Sequence, residues 1–350
     1  MAARMSEADL VVRAARSGEG RAVASLWREL WDAHEAWGGY AGSKELRIYD
    51  QLATRLEEDA RVRGGHPILG RHIHLVAAAG SELTGQVEGW FERHGVDAST
   101  PNTCEVRSLI VSSVARRSGA GRALLDTLAR SASTLSRGGP TVLAAEVLEP
   151  NPAHTFYAKV GYAPIAWSTR IDVEEAMVRA VARSGFHARI AEPRDALAVA
   201  VLDATLAARR RAAGDVRFDR PRAVDATIVG AISAHLAHVA ATGADPTEIV
   251  GVDEHGAVRA AVSLAVMALD PPFLPAKRGI LGRFALDPAL DPALLVPALV
   301  GFSARLAAAR GATTMELTDL TGPASPLYEA TRAVGARPWS RVVTKLITSR

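Results

Sequence analysis

The sequence predicts a mixed α/β (α+β) fold built twice in tandem, and three observations carry that prediction. At 350 residues and 48 % hydrophobic content the chain has enough length and apolar surface for two cores. Within the first 172 residues the apolar spacing switches between periods of about 2 and 3.6 in the order βααβββαβαβ. Such an order gives a mixed, mainly antiparallel sheet with helices on both faces and one parallel pair around a crossover helix. The pattern then restarts. "FHARIAEP" echoes "LVVRAARS", with Arg189 against Arg13, and "SPLYEATRAVGA" lies over "NPAHTFYAKVGY" at nearly the same offset. Two echoes at one spacing indicate an internal duplication.

The elements follow in order. "DLVVRAAR" reads as a strand, and the helix after it sets Val23, Leu26, Trp27, Leu30, Trp31 and His34 on one stripe. Gly38, Gly39 and Gly42 mark a loop before a second helix over 44–62, closed by Gly64 and Gly65. "RHIHLVAAAG" and "ELTGQVEGWFERHG" are antiparallel strands joined at 80–82, and "TCEVRSLIVS" is a third. Leu124, Leu125, Leu128, Ala132 and Leu135 form the buried face of a helix ending at Gly138 and Gly139. "TVLAAEV" is a buried strand, "NPAHTFYAKVG" a short helix opened by Asn–Pro, and "YAPIAWSTRIDV" the final strand of the first copy. Domain boundaries are therefore expected at 1–172 and 185–350, with 173–184 as a linker helix.

Composition narrows the function. A formal charge of +3 excludes a large basic field, although the pI is near 9.2, so neither nucleic acid nor an anionic membrane is expected as partner. Four of the 41 cationic residues are lysines, a bias that lowers the information in any single arginine. One cysteine, Cys104, rules out an internal disulfide and a multi-cysteine metal site. The N-terminus lacks an apolar signal core, and no uninterrupted apolar stretch of about 18 residues stands out. A soluble, cytoplasmic protein acting on small molecules is expected, as monomer or homodimer.

"ARRSGAGRALL", residues 115–125, opens the third helix. Backbone N–H groups of 117–122 would converge at its N-terminus, where free donors and the positive dipole end favour an anion. Gly119 and Gly121 allow close approach, and Arg116, Arg117 or Arg122 add charge. The loop lacks both the G-x-G-x-x-G order and a following G-K-[ST]. It resembles instead the acetyl-CoA loop of the GNAT N-acetyltransferase superfamily. "LIVSSVARRSGAGRALL" fits a strand ending in L-x-V followed by [RQ]-x-x-G-x-[GA], with Arg116, Gly119 and Gly121 on the motif positions. "NPAHTFYAKVGY" fits the second motif, N-x-x-A-x-x-[FL]-Y-x-x-x-G-[FY], about 30 residues on. Ser113 stands where many members carry proline.

The resemblance implies acetyl-CoA as acyl donor, without a metal, and a splayed parallel strand pair that admits its pantetheine. Leu109, Ile110 and Val111 would line that arm, and Arg116, Arg117, Ser118, Gly119, Ala120, Gly121 and Arg122 would hold the pyrophosphate. Asn151 would bind the arm or cap the short helix. It further implies Tyr157 as proton donor to the departing thiolate and Glu105 as general base, on the face of Val111 if no bulge intervenes. Glu88 is the reserve base. An oxyanion would meet the backbone N–H near Ile110 or Val111. The acceptor pocket would draw on Trp27, Trp31, His34, Glu35, Trp37, Tyr40, Tyr49, Glu88 and Glu92. His72 and His74 form an H-x-H pair with no third ligand in view.

The second copy reads "FALDPALDPALLVPALVG" where the loop should be, with Asp291 near the position of Arg116. Ser325, Ala330 and Thr331 replace Asn151, Phe156 and Tyr157. A degenerate, non-catalytic C-terminal copy is expected, and "ARRRAAG" at 208–214 is expected to be a solvated helix end. The function these residues imply is acetyl transfer to the primary amine of a small molecule: an amino sugar, an antibiotic or an amino-acid derivative. A protein lysine or N-terminus as acceptor, and a non-catalytic acyl-CoA sensor, are the alternatives.

Overall fold

Apolar spacing becomes structure much as the sequence anticipates. The computed structural model describes residues 10–93, 101–137, 139–181, 185–218, 221–269, 273 and 277–348. The chain divides into two compact units, one within Met1–Ala163, Asp270–Leu274 and Val343–Arg350, the other within Pro164–Leu269 and Pro275–Val342.

The first unit contains β1 (Leu10–Arg13), α1 (Gly20–Ala36), α2 (Leu46–Arg63), β2 (Ile68–Leu69), β3 (His72–Ala79) and β4 (Glu82–Glu92). These are followed by β5 (Asn102–Val111), α3 (Ala120–Ser136), β6 (Thr141–Leu148) and α4 (Ala153–Lys159). Its strands lie in the order β1-β3-β4-β5-β6, antiparallel except for the β5–β6 pair. Leu124, Leu125, Leu128 and Ala132 of α3 pack on one sheet face against Ile73, Leu75, Val87, Cys104 and Leu143. Each leucine so buried contributes about 1.5–3 kcal/mol. Val23, Trp31, Leu52 and Leu56 of α1 and α2 cluster with Val76 on the other.

The second unit holds β7 (Ala163–Asp172), α5 (Val173–Arg179), β8 (Phe186–Ile190), α6 (Ala196–Ala212), α7 (Ala226–Thr242), β9 (Thr247–Asp253) and β10 (Val258–Ala268). It continues through β11 (Lys277–Leu286), α8 (Pro292–Ala309), β12 (Ala312–Leu320), α9 (Pro326–Ala333) and the first part of β13 (Arg337–Ile347), which from Val343 on belongs to the first unit. Its order is β7-β12-β11-β10-β9-β8, with β11–β12 parallel. The duplication is visible in small devices. Arg13 grips Glu19 through two hydrogen bonds of 2.6 and 2.8 Å, and Arg189 grips Asp195 in the same way at 2.6 and 2.9 Å. Ser108 in β5 and Arg283 in β11 carry nearly equal left-handed φ values of 53° and 54°.

Three readings are corrected. The strand expected to close the first copy, β7, pairs with β12 and buries Ile171 in the core of the second unit. In its place the end of the final strand lies beside β6 and sets Val343 in the first core. The helix end at 208–214 is not simply solvated, because Arg210 is buried and bonds the carbonyls of Ile165 and Asp319. α8 is long and apolar enough to cross a bilayer by composition, but Leu295, Leu299 and Val300 are fully buried in the second core.

A Cβ at Gly301 of α8 would stand 2.2 Å from the carbonyl oxygen of Ala180, a backbone atom that cannot swing away. Gly301→Ala should destabilise the fold by about 1–3 kcal/mol, read as a lower urea midpoint at unchanged slope.

Candidate active site

The β5–β6 ladder runs from the Asn102–Thr141 pair to Val106–Ala145 and stops, while β5 continues to Val111 and β6 to Leu148. The two parallel strands part there. On the other edge of β5 the register shifts: Glu88 faces Arg107 but Gln86 faces Ile110, so Val87 opposes both Ser108 and Leu109. This is a β-bulge, and it inverts the side-chain alternation beyond it.

The bulge corrects the reading of Glu105. Cys104, Val106, Leu109 and Val111 all contribute to the α3-side core, so Glu105 lies on the face opposite Val111, together with Ile110. Its side chain is half-exposed and pairs with Arg107 at 2.7 Å. The carboxylate buried on that face is Glu88, opposite Arg107 on β4. Burial pushes its pKa up to about 7, against the pull of Arg55, Arg63 and Arg107. His72 Nε2 lies 3.7 Å from Glu88 Oε1, and Arg63 Nη2 lies 2.6 Å from His72 Nδ1. Burial keeps both histidines neutral, His72 down to about 3 and His74 to about 4. His74 bonds Gln86 at 3.2 Å. Among the described residues no group of three or more metal-ligating side chains comes together.

The loop after β5 is shaped as an anion cradle. Gly119, φ 89°, is the N-cap of α3 and offers no side chain, the first turn carries no acidic residue, and Arg117 is also left-handed at φ 70°. Among the described residues the opening N–H groups of α3 thus lack a carboxylate or hydroxyl cap, apart from a long 3.4 Å contact of Ala120 N–H with the Ser118 hydroxyl. Gly121 serves packing more than ligand approach: a Cβ there would stand 3.1 Å from the Phe156 ring. Ser113 uses the N–H that proline would lack, donating to Glu29 Oε1 at 2.9 Å, and Arg116 reaches the same oxygen at 3.3 Å. Leu109, Val111 and Phe156 are partly buried beside this opening, and Ile110 is buried.

Tyr157 is buried on α4, edge-on to Phe156 and Tyr162 at 5.6 and 5.2 Å. Burial raises its pKa, so the hydroxyl keeps its proton. Asn151 Oδ1 accepts from Ala153 N–H at 2.9 Å and starts the short helix. Of the acceptor-pocket candidates, Trp27, Trp31 and Tyr49 pack ring to ring at tilted angles of 45° and 50° on α1 and α2, with Arg28 over Tyr49. Glu35 is held by Lys44 at 2.8 Å, and Glu92 is exposed. Glu29, Arg63 and Gln86 were not legible as site residues. Their partners are long-range or across strands, and no motif marks them.

Residues 25–162 match the sequence profile of the Acetyltransferase (GNAT) family. The match spans most of the first unit and marks that unit as similar to this family. Over the whole chain, structural likeness shows a shared fold. A tandem GNAT protein from the clavulanic acid biosynthesis pathway shares 17 % identity, with a TM-score of 0.50 over 97 % of this chain and 99 % of that one. A GCN5-related N-acetyltransferase from Sphaerobacter thermophilus shares 16 %, with a TM-score of 0.56 over 98 % and 96 %. A GCN5-related glucosamine N-acetyltransferase region of a fungal GH3 β-N-acetylglucosaminidase shares 14 %, with a TM-score of 0.51 over 96 % of this chain and 38 % of that protein. Among curated proteins none matches the sequence.

In the second unit the corresponding positions carry different residues. Asp291 caps α8 by accepting from Ala293 N–H at 2.9 Å, which places a carboxylate where α3 has an open end. Ser263 stands opposite Gly282 as Glu88 stands opposite Arg107, and Arg283 at the bulge holds Asp203 at 2.7 Å and also binds Glu248. Thr331, in the place of Tyr157, donates to the Tyr328 carbonyl at 2.7 Å.

Two outcomes follow. Gly121→Asp should weaken acetyl-CoA binding at least ~10-fold in a calorimetric titration, since the side chain collides with Phe156 and brings a negative charge to the cradle. Glu88, raised from 4.5 to about 7, favours folding only while neutral, and that contribution is lost as pH rises through about 7. Glu88→Gln should therefore melt above wild type at pH 8, with the gap closing by pH 4.

Proposed function

We propose that this enzyme transfers the acetyl group of acetyl-CoA to the primary amine of a small molecule in the cytoplasm, using its N-terminal unit. The observation that carries this reading is the combination at one end of β5: parted strands, an open helix N-terminus and a buried carboxylate. The cradle fits a pyrophosphate because its donors lack a side-chain cap carboxylate and arginines stand beside it. The arm would lie along Leu109, Ile110 and Val111, and Arg116, Arg117, Ser118, Ala120 and Arg122 would surround the phosphates. Bound acetyl-CoA supplies an activated thioester.

The chain's own residues then have three tasks. Glu88 Oε accepts the proton of the incoming amine, and a pKa near neutrality suits a base that must both take and release it. Glu105 and Arg107 form a charged rim beside it, which favours a cationic acceptor before deprotonation. Tyr157 Oη, held protonated by burial, donates to the sulfur as it leaves. The second unit, with Asp291 at its helix end and Thr331 in place of tyrosine, is a degenerate copy without acetyl-CoA.

Release of free thiol from acetyl-CoA in the presence of amino sugars, aminoglycosides and amino-acid amides tests the reading. One site per chain and amine-dependent release support it. Binding without release for any amine makes the protein a sensor, and two sites per chain overturn the degenerate copy. Tyr157→Phe should lower kcat about 10- to 100-fold with little change in acetyl-CoA KM, because a thiol leaving group needs only modest help.

A further inference from the structure

We infer that His72 is a positioning residue for Glu88, locked by Arg63 in the tautomer whose Nε2–H faces the carboxylate. The inference rests on the reading of Glu88 as proton acceptor. Arg63 closes α2 and is 5 % exposed. Its Nη1 donates to the carbonyls of Pro67 and His72 at 2.9 and 3.3 Å, which fixes the guanidinium, and Nη2 meets His72 Nδ1 at 2.6 Å. A guanidinium can only donate. His72 Nδ1 is therefore an acceptor, and the ring proton sits on Nε2.

That nitrogen is buried, has no hydrogen-bond partner among the described residues and lies 3.7 Å from Glu88 Oε1. The distance exceeds a hydrogen bond, but such contacts shorten when substrate completes a site. The ring has little freedom to turn elsewhere, since Trp90 stacks on it at 4.5 Å and 15°. Other charged or titratable groups facing Glu88 are Arg55, Asp59 and Arg63 from α2, His74 from β3, and Arg107 with its partner Glu105 from β5. Burial and the Arg63 charge keep His72 itself from taking the proton. Its part is to hold the charged form of Glu88 with an oriented N–H.

The test reads Glu88 directly, by carbon-13 NMR titration of the glutamate carboxyls in the full chain, with the signal assigned by its loss in Glu88→Gln. His72→Leu removes the donor and should raise the Glu88 midpoint by roughly one unit. His72→Gln keeps an N–H of similar reach and should return the midpoint toward wild type. Nitrogen-15 spectra should show Nδ1 without a proton in wild type and a mixed tautomer in Arg63→Met. A midpoint unmoved in His72→Leu, or moved equally in His72→Gln, overturns the inference, as does a proton on Nδ1 in wild type. An active Glu88→Gln enzyme would instead overturn the base assignment while leaving these spectra as they are.

Discussion

The site depends on one constraint, the end of the β5–β6 ladder at Val106 and Ala145. Two parallel strands that separate inside a sheet expose backbone donors and acceptors, which must find partners elsewhere. The bulge at Ser108 lies two residues beyond the last β5–β6 pair, and the open start of α3 follows in the loop after β5. The same bulge decides which acid is buried. It moves Glu105 to the exposed rim and leaves Glu88 in the low-dielectric layer under α2.

The second unit separates scaffold from chemistry. It repeats the parallel pair, the bulge and the arginine–carboxylate clasp, yet carries Ser263, Arg283 and Thr331 in the places of Glu88, Ser108 and Tyr157, and Asp291 near that of Arg116. Arg283 illustrates the change: a bulge residue that is a small serine in the first unit becomes a guanidinium neutralising two buried carboxylates.

Much of this was legible in the sequence because periodicity and turn residues are local. The α3 face was read from leucines three or four apart, and the cradle from Gly119 before an apolar helix. The bulge was not legible, since "CEVRSLIV" contains no glycine to announce it, and without it the face of Glu105 inverts. Glu29 and Arg63 were missed for another reason. Each acts across a fold-level distance, Glu29 on Ser113 in β5's loop and Arg63 on a strand beyond a turn, and surface-type residues give no sign of such partners. The exchange of final strands was hidden because β7 and β13 both alternate well enough to sit in either sheet.

That exchange bears on how the chain is made. Val343 lies in the first unit's core with Ile347 packed against it, so this unit stays one strand short until about 180 further residues have been synthesised. At about 5–20 residues per second, the half emerging first from the ribosome waits on the order of 10–30 s for its last piece. Until then the exposed edge of β6 is open to wrong pairing. An N-terminal unit made without β13 would lack that strand.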